Sequence, residues 1–266
     1  MMRVPVLWMT VAAAAAVVAT PAMGEEWTKQ WSIQGQADLR VEVDDGRVIV
    51  RGADTNQIEA RVITTGWKIG PGGVQITPRQ EGSRLELDVR TPRFNNWMGN
   101  NNRSLRVELR VPRNLVASIR TGDGSVLAED LQGSLRLRSG DGSIEATGVD
   151  GKLDAETGDG SIRTRGRFEV LMLRTGDGRI EADVLPGSKM VSGWEVNTGD
   201  GHVVVRLPEK FAADVDAHTG DGRVELEFPI NTSRLDSGKD VHGKLNGGGP
   251  TLRIRTGDGP IRLARM

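Results

Sequence analysis

Cysteine and tyrosine are absent from this chain of 266 residues, which holds only 6 Trp and 4 Phe. Without cysteine there can be no disulfide bond, no thiol catalysis and no thiolate zinc site. Few aromatic rings are available to form the flat platforms on which many proteins stack sugars. The chain must therefore be stabilised by packing, and its surface chemistry depends on charged and polar side chains.

An excess of one charge is also missing. The chain has 35 basic and 36 acidic residues, a formal net charge of −1, and the two signs are interleaved along the sequence. A nucleic-acid-binding surface concentrates positive charge on one face, and a membrane-binding segment carries a basic cluster. This balance therefore argues against both kinds of partner.

Long apolar runs are lacking after the first residues. Arg3 precedes an apolar run from Val4 to Val18, and Ala22-Met23-Gly24 places small residues before Glu25. This pattern is typical of a cleaved signal peptide. We therefore predict a signal peptide over residues 1–24 and export to the periplasm, the cell surface or the medium. The alternative is that the run is kept as a membrane anchor, since it is only slightly short of a spanning helix.

A repeated tetrapeptide, Thr/Ser-Gly-Asp-Gly, is the most informative feature that the chain does have. Its first three spacings are eighteen residues each, and a fixed period is typical of stacked repeats. A weaker eighth unit surrounds Asp45, where Asp44 replaces the first glycine. The seven full copies are centred on Asp123, Asp141, Asp159, Asp177, Asp200, Asp221 and Asp258.

Apolar residues recur six and four positions before each of these aspartates, and three and five positions after it. Spacings of two on both sides of a turn indicate two short strands, each with one buried face. We predict an all-β fold, a β-solenoid of roughly 18-residue strand–turn–strand repeats. Residues 113–266 form the repeat solenoid, and residues 25–112 form an N-terminal β region with a degenerate repeat that continues into the stack.

Five strands are predicted in the N-terminal region, and the segment from Asn231 to Pro250, rich in Gly, Ser, Asn and Asp, is predicted to be a loop that breaks the period. The predicted strands are Asp38–Val43, Arg47–Arg51, Gln57–Thr64, Arg84–Arg90 and Leu105–Val111.

Two sequence runs resemble a known family. The run Val107-Glu-Leu-Arg-Val111-Pro112 is followed by Ile119-Arg-Thr-Gly-Asp-Gly-Ser-Val126 and by further Thr-Gly-Asp-Gly-x-Ile units. Together they are similar to the bacterial "putative adhesin" family, from about residue 30 to the end of the chain. The resemblance implies an exported or envelope-associated β-solenoid of unknown function, and it supplies no catalytic residues.

The column of seven aspartates is the candidate site, with two readings. As turn residues, the aspartates would accept backbone N–H groups two residues on, and the flanking glycines would supply positive φ. As a metal site, the same carboxylates would bind Ca²⁺, although one carboxylate per repeat is few for an ion that takes 6–8 oxygens. Arginines that could neutralise the column are Arg120, Arg138, Arg174, Arg179, Arg223 and Arg255.

A second candidate site is the Asn-rich loop from Phe94 to Asn102, where Trp97 and Met98 could anchor a partner. The alternative is that Trp97 packs against the solenoid. The three histidines occupy non-equivalent offsets, and each is predicted to be an isolated surface residue; they are His202, His218 and His242.

The sequence therefore predicts a non-enzymatic exported cell-envelope protein that presents a repetitive β-surface for adhesion, scaffolding or partner binding. It needs no cofactor in this reading, and its partner would be an envelope protein or a polysaccharide. One alternative is a carbohydrate-active β-helix enzyme, which would use paired carboxylates. Another is a calcium-binding envelope module or a stress-signalling module that recruits its partner at a strand edge.

Overall fold

Short β-strands make up the regular structure of the computed structural model, which describes residues 24–92, 103–229, 231–236 and 238–266. These residues form 21 strands and no helix, so the all-β prediction is confirmed. No helix among them is long and apolar enough to cross a membrane. The strands before the second full repeat are β1 (Gly24–Ser32), β2 (Ala37–Val43), β3 (Arg47–Ala53), β4 (Gln57–Thr65), β5 (Gln75–Glu81), β6 (Arg84–Arg90), β7 (Ser104–Pro112), β8 (Asn114–Thr121) and β9 (Val126–Glu129). The strands that follow are β10 (Gln132–Arg138), β11 (Ile144–Thr157), β12 (Ile162–Thr175), β13 (Ile180–Val184), β14 (Trp194–Asp200), β15 (Val203–Leu207), β16 (Ala213–Asp221), β17 (Val224–Leu226), β18 (Asn231–Asp236), β19 (Asp240–Leu245), β20 (Thr251–Asp258) and β21 (Ile261–Arg265).

Two parallel ladders organise these strands. Ladder A holds the strands that precede each Gly-Asp-Gly turn, in the order β6, β2, β8, β10, β11, β12, β14, β20, β16. Ladder B holds the strands that follow each turn, in the order β7, β3, β9, β11, β12, β13, β15, β21, β17. Within the regular repeats, partners across neighbouring strands lie eighteen residues apart, as with Ile144 and Ile162. The fold is β-solenoid-like.

The core lies between the two ladders. Along each strand the residues alternate between buried and exposed positions, and the buried ones from both ladders form one apolar cluster. The residues at the four apolar positions of each repeat are buried, as predicted. Leu226, at the end of ladder B, is the exception and is only partly buried. Because burying a Val, Leu or Ile side chain is worth about 1.5–3 kcal/mol, these columns provide most of the stabilisation.

The last repeat does not stack in sequence order. Strands β20 and β21 lie between the unit of Asp200 and the unit of Asp221, in both ladders. At the other end, β2 and β3 lie between β8/β9 and the outer pair β6/β7. The units nearest the two ends of the described chain therefore lie inside the stack. Strands β6 and β7 are outermost at one end of the ladders, and β16 and β17 are outermost at the other.

Antiparallel strands cover most of the outer edges. β5 pairs with β6, β4 with β7 and β1 with β4, while β19 pairs with β16 and β18 with β19. The prediction of a loop from Asn231 to Pro250 is therefore wrong, because this segment contains the β18–β19 hairpin. An exposed edge strand offers unpaired N–H and C=O groups, and the hairpin satisfies those of β16. Val241 and Leu245 of β19 are buried, two isolated apolar positions in a polar segment.

Candidate functional site: the row of Gly-Asp-Gly turns

The Gly-Asp-Gly turns of successive units stack directly on one another. The N–H of Gly140 donates to the carbonyl oxygen of Gly122 at 2.5 Å, and Gly199 donates to Gly176 at 2.5 Å. Gly158 and Gly176 make the same bond to the first glycine of the unit before. Because Asp258 pairs in register with both Asp200 and Asp221, the last repeat joins the same row.

The repeated glycines are needed for close approach and not for their backbone angles. The prediction that they supply positive φ is wrong for all of them except Gly259, whose φ is 129°. A Cβ on Gly142 would overlap the carbonyl oxygen of Gly124, and a Cβ on Gly160 would overlap that of Gly142. The turns can therefore stack at strand spacing only if these positions lack a side chain.

The Thr or Ser that precedes each turn forms a ladder of hydroxyl hydrogen bonds. Thr157 Oγ1 donates to Gly142 O at 2.8 Å, and Ser139 Oγ donates to Gly124 O at 2.7 Å. Each bond joins one unit to the second glycine of its neighbour. The same bond is made by Thr121 to Gly46, Thr175 to Gly160, Thr198 to Gly178, Thr219 to Gly259 and Thr256 to Gly201.

This threonine ladder is part of the site that sequence reasoning missed. All of these threonines are buried, although polar residues usually lie outside. Their hydrogen bonds offset the cost of that burial. The available signal was the invariance of Thr or Ser at this one position of every repeat within the chain.

The aspartate side chains themselves lie at the surface. All seven are exposed. Among the described residues, a backbone hydrogen bond to a turn carboxylate is made at the weaker eighth unit, where the N–H of Asp123 donates to Asp45 Oδ1 at 3.1 Å. This bond differs from the prediction, in which each aspartate accepts the backbone N–H of the residue two positions further along its own turn. The carboxylates lean over the next turn instead, so that a Cβ on Gly176 would contact Asp159 Oδ1 at 3.3 Å.

Four of the six arginines predicted to neutralise the row pair with other acids. Arg138 pairs with Asp154 at 2.8 Å, and Arg174 pairs with Glu195 at 2.7 Å. Arg179 pairs with Glu181 at 3.4 Å, and Arg255 pairs with Asp216 at 2.8 Å. In the described chain, the one cation within 4.0 Å of a repeat aspartate is Lys239, 3.5 Å from Asp221. The row is therefore an exposed line of negative charge.

The ion pairs on the strands keep their carboxyl groups ionised. Burial pushes the pKa of Asp154 upward, but hydrogen bonds and positive charge from Arg138 and Arg136 outweigh it, so that the pKa lies below its ordinary value. The pKa of Glu42 is lowered mainly by its hydrogen bond from Arg40. Arg40 and Glu42 lie on the same strand, whereas the pairs of Asp154 join β11 to β10 and favour the register of these two strands.

An open groove of about 1010 Å³ runs beside one end of the row. Two of the acids that line it, Glu42 and Asp44, are both held by Arg90, at 3.1 and 2.9 Å. Asp44 also accepts the N–H of Thr91 at 2.9 Å. Both carboxylates are therefore engaged in ion pairs, whereas Asp45, which also lines the groove, has no cation within 4.0 Å among the described residues.

Two histidines are paired, so the prediction that they are isolated is wrong. His218 Nδ1 lies 2.5 Å from Asp240 Oδ1, and His242 Nδ1 lies 3.0 Å from Asp216 Oδ1. Because each pair joins one residue of β16 to one residue of β19, the two pairs connect the terminal hairpin to the stack. Trp97 and Met98, predicted to bind a partner, lie outside the described residues. Within the described chain, no group of three or more His, Asp or Glu side chains could hold a metal ion.

Comparison with known proteins gives one family and several solved structures. Residues 116–264 match the family model described as Toastrack DUF4097. Similar structures include a putative cell adhesion protein from Clostridium sporogenes, with 14% identity, 91% of this chain and 100% of that chain covered, and a TM-score of 0.43. Putative adhesins from Bacteroides fragilis (12% identity, 90% and 96% covered, TM-score 0.48) and Parabacteroides merdae (10%, 90% and 95%, 0.45) are also similar. A comparison with curated proteins gave no match.

Proposed function

Because the chain belongs to the Toastrack DUF4097 family, we propose that it is a non-enzymatic cell-envelope protein that binds partners through the outward faces of its stacked strands. We interpret each strand–turn–strand unit as one coil of a β-solenoid with an eighteen-residue repeat. The chain is exported by its N-terminal signal and works in adhesion or scaffolding outside the cytoplasm.

The observation that carries this proposal is the shared register within each of the two ladders, with shifts in the β11–β12 pairing only at the corner between the ladders. Nine strands lie side by side in each ladder, so that outward side chains recur at strand spacing, roughly 4.8 Å, along the whole stack. A long, rigid face of this kind suits a polymer or a protein surface. The covered edges at β6, β7 and β16 limit uncontrolled strand addition.

The alternative of a carbohydrate-cleaving enzyme has less support. Such an enzyme needs one carboxyl group whose pKa is raised, to protonate the leaving group. Among the described residues, each carboxyl group with a clear pKa shift is shifted downward, mostly by an adjacent arginine. This favours ion pairs that organise a surface.

The proposal is tested by fractionation and binding. The full chain, with a tag after Met266, should be found in the periplasmic, envelope or medium fraction of the source organism, and the purified protein should bind whole envelopes. A matched chain with Val11→Arg and Ala14→Arg in the apolar run should stay in the cytoplasm. Cytoplasmic recovery of the unchanged chain, or no retention on envelopes, contradicts the proposal.

Calcium binding by the aspartate row is a second proposal. It is favoured by one observation, that eight aligned carboxylates including Asp45 have no arginine partner among the described residues. Adjacent charges at strand spacing repel by about 1 kcal/mol in water, and a cation between them would remove this repulsion. Calcium should then raise the melting temperature, and chelator should reverse the rise.

The control for calcium is a triple substitution, Asp141→Asn, Asp159→Asn and Asp177→Asn. It removes three adjacent charges and keeps the shape of the turns. If the row binds calcium, this variant should lose most of the calcium-dependent rise. An equal rise in the variant, or no rise in the unchanged protein, contradicts calcium binding by the row.

A further inference from the structure

A depression lined by arginines lies on the outer face of ladder A. It occupies about 240 Å³ across three neighbouring strands, β2, β8 and β10. At its centre is Ser118, which lies in register between Arg40 on one side and Arg136 on the other. The two arginines are separated by two strand spacings, roughly 9.6 Å. The short serine side chain leaves the space between them open.

Charged residues also lie two positions further along the same three strands. Arg120 follows Ser118 by two residues, and it lies in register between Glu42 and Arg138. The depression therefore contains four arginines and one carboxylate, Glu42. The chain as a whole has a net charge of −1, so this local excess of positive charge is a property of the site and not of the composition.

The carboxylates around the depression are shared between arginines. Glu42 pairs with Arg40 at 2.6 Å and with Arg90 at 3.1 Å. Asp154, on the neighbouring strand, pairs with Arg136 at 3.3 Å and with Arg138 at 2.8 Å. Arg138 also binds Glu156 and backbone carbonyls, so its donors are used. The exposed Arg40 and Arg136 bond their acids through only some of their guanidinium nitrogens and keep further donors for a ligand.

Arg120 and Ser118 have no partner of this kind. In the described part of the chain, no carboxylate lies within 4.0 Å of the Arg120 guanidinium, and the Ser118 hydroxyl makes no hydrogen bond. Both side chains are exposed. An unpaired guanidinium beside a free hydroxyl, between two further arginines, provides convergent donors for a small anion.

We propose that this depression binds an oxyanion, a phosphate, sulfate or carboxylate group of an envelope polymer or lipid, through Arg40, Ser118, Arg120 and Arg136. Guanidinium groups present planar pairs of donors that match such oxygens, and charge-assisted hydrogen bonds are about twice as strong as neutral ones. The inference rests on the proposed function, since it names the ligand chemistry of one part of the binding face.

The experiment titrates the purified full chain with tripolyphosphate by calorimetry at low ionic strength. Arg120→Gln should weaken binding about tenfold, which corresponds to the loss of one charge-assisted hydrogen bond. Ser118→Asp should abolish binding, because its carboxylate would occupy the space between Arg40 and Arg136. That variant should also melt at or above the temperature of the unchanged protein, which separates loss of the site from loss of the fold.

The matched control is Arg165→Gln, which removes one exposed arginine from ladder B and should leave binding unchanged. Equal losses in Arg120→Gln and Arg165→Gln would show nonspecific attraction and overturn the proposal, as would unchanged binding in Ser118→Asp. Flotation with vesicles of phosphatidylglycerol and phosphatidylcholine then separates a lipid headgroup from a soluble polymer as the source.

Failure of this inference is distinguishable from failure of the proposed function. If the unchanged protein binds tripolyphosphate and Ser118→Asp does not, but envelopes fail to retain the unchanged protein, the oxyanion site stands and the envelope function fails. If envelopes retain the unchanged protein and tripolyphosphate does not bind, the oxyanion site fails and the envelope function stands.

Discussion

At the scale of single residues, each position of the Thr-Gly-Asp-Gly repeat has a separate physical task. The threonine bonds to the neighbouring unit, and the two glycines allow the backbones to approach. The aspartate lies at the surface and contributes negative charge. The threonine and the glycines of the repeat therefore hold neighbouring units together, whereas the aspartate, the residue that marks the repeat in the sequence, is the least needed for stacking.

The second glycine of a turn should not tolerate a side chain. We expect Gly160→Ala to lower the free energy of unfolding by about 1–3 kcal/mol, the usual cost of overpacking. Gly249→Ala is the control, because a Cβ there would make only ordinary contact, 3.4 Å from the carbonyl oxygen of Ala212. Urea unfolding of both variants measures the difference, and equal stabilities would contradict the role assigned to the repeated glycines.

The threonine ladder should contribute measurably as well. Thr157→Val keeps the shape of the side chain but leaves the carbonyl oxygen of Gly142 without its hydroxyl partner, at a cost of roughly 1–3 kcal/mol. Thr147→Val, at a half-buried outward position, should change stability much less. A Thr157→Val variant as stable as the unchanged protein in the same urea titration would show that these hydroxyl bonds do not stabilise the stack.

At the scale of strands, ion pairs between neighbouring rows set how stability depends on pH. Arginine neighbours lower the carboxyl pKa values of Asp154, Glu195 and Asp216, although burial acts in the opposite direction. A carboxyl group with a depressed folded pKa contributes stability above its unfolded pKa, near 4, and loses it as the pH falls through the folded value. The protein should therefore lose stability mainly below about pH 4.

Asp154→Asn tests this dependence. The variant should be less stable than the unchanged protein at pH 7, and the difference should shrink as the pH falls below 4, because the unchanged protein loses the same ion pairs there. The comparison is Asp159→Asn, a row carboxylate with no arginine partner in the described chain. Melting temperatures between pH 2 and 7 decide the matter, and parallel curves for Asp154→Asn and the unchanged protein would contradict the role of the ion pairs.

The strands that alternate strongly could be predicted from sequence, and those that do not were missed. The five strands predicted in the N-terminal region are all present, with ends within two residues of those predicted. β1 and β5 were not predicted. Their residues do not alternate between buried and exposed positions along the strand, because only one residue of β1 and none of β5 is buried. The hairpin β18–β19 was also missed, because its pairing with β16 depends on a neighbour distant in sequence.

The candidate site was predictable in position but not in mechanism. The repeat period correctly placed the turns in one row. The roles of glycine and threonine depend on contacts between units, which a single turn read by itself does not contain. For the same reason the arginine partners were misassigned, since outward acids on adjacent strands compete with the turn aspartates.

At the scale of the whole molecule, the order of the units is the feature that one sequence cannot give. Asp200, Asp221 and Asp258 occur in this order along the chain, but the unit of Asp258 lies between the other two. The family resemblance drawn from the sequence is confirmed by the match to the Toastrack model, yet the resemblance did not indicate this insertion. The insertion leaves the unit of Asp221 outermost in both ladders.

The most direct test of this account uses the absence of cysteine to place single disulfides. With Asp200→Cys and Asp258→Cys, the two Cα atoms lie one strand spacing apart, roughly 4.8 Å, which is within the range for a disulfide. With Asp200→Cys and Asp221→Cys they lie two spacings apart, roughly 9.6 Å, which is too far. The account predicts that mild oxidation closes the first pair and leaves the second pair reduced. Closure of the second pair in preference to the first would show that the units stack in sequence order and would contradict the arrangement on which the proposed binding face rests.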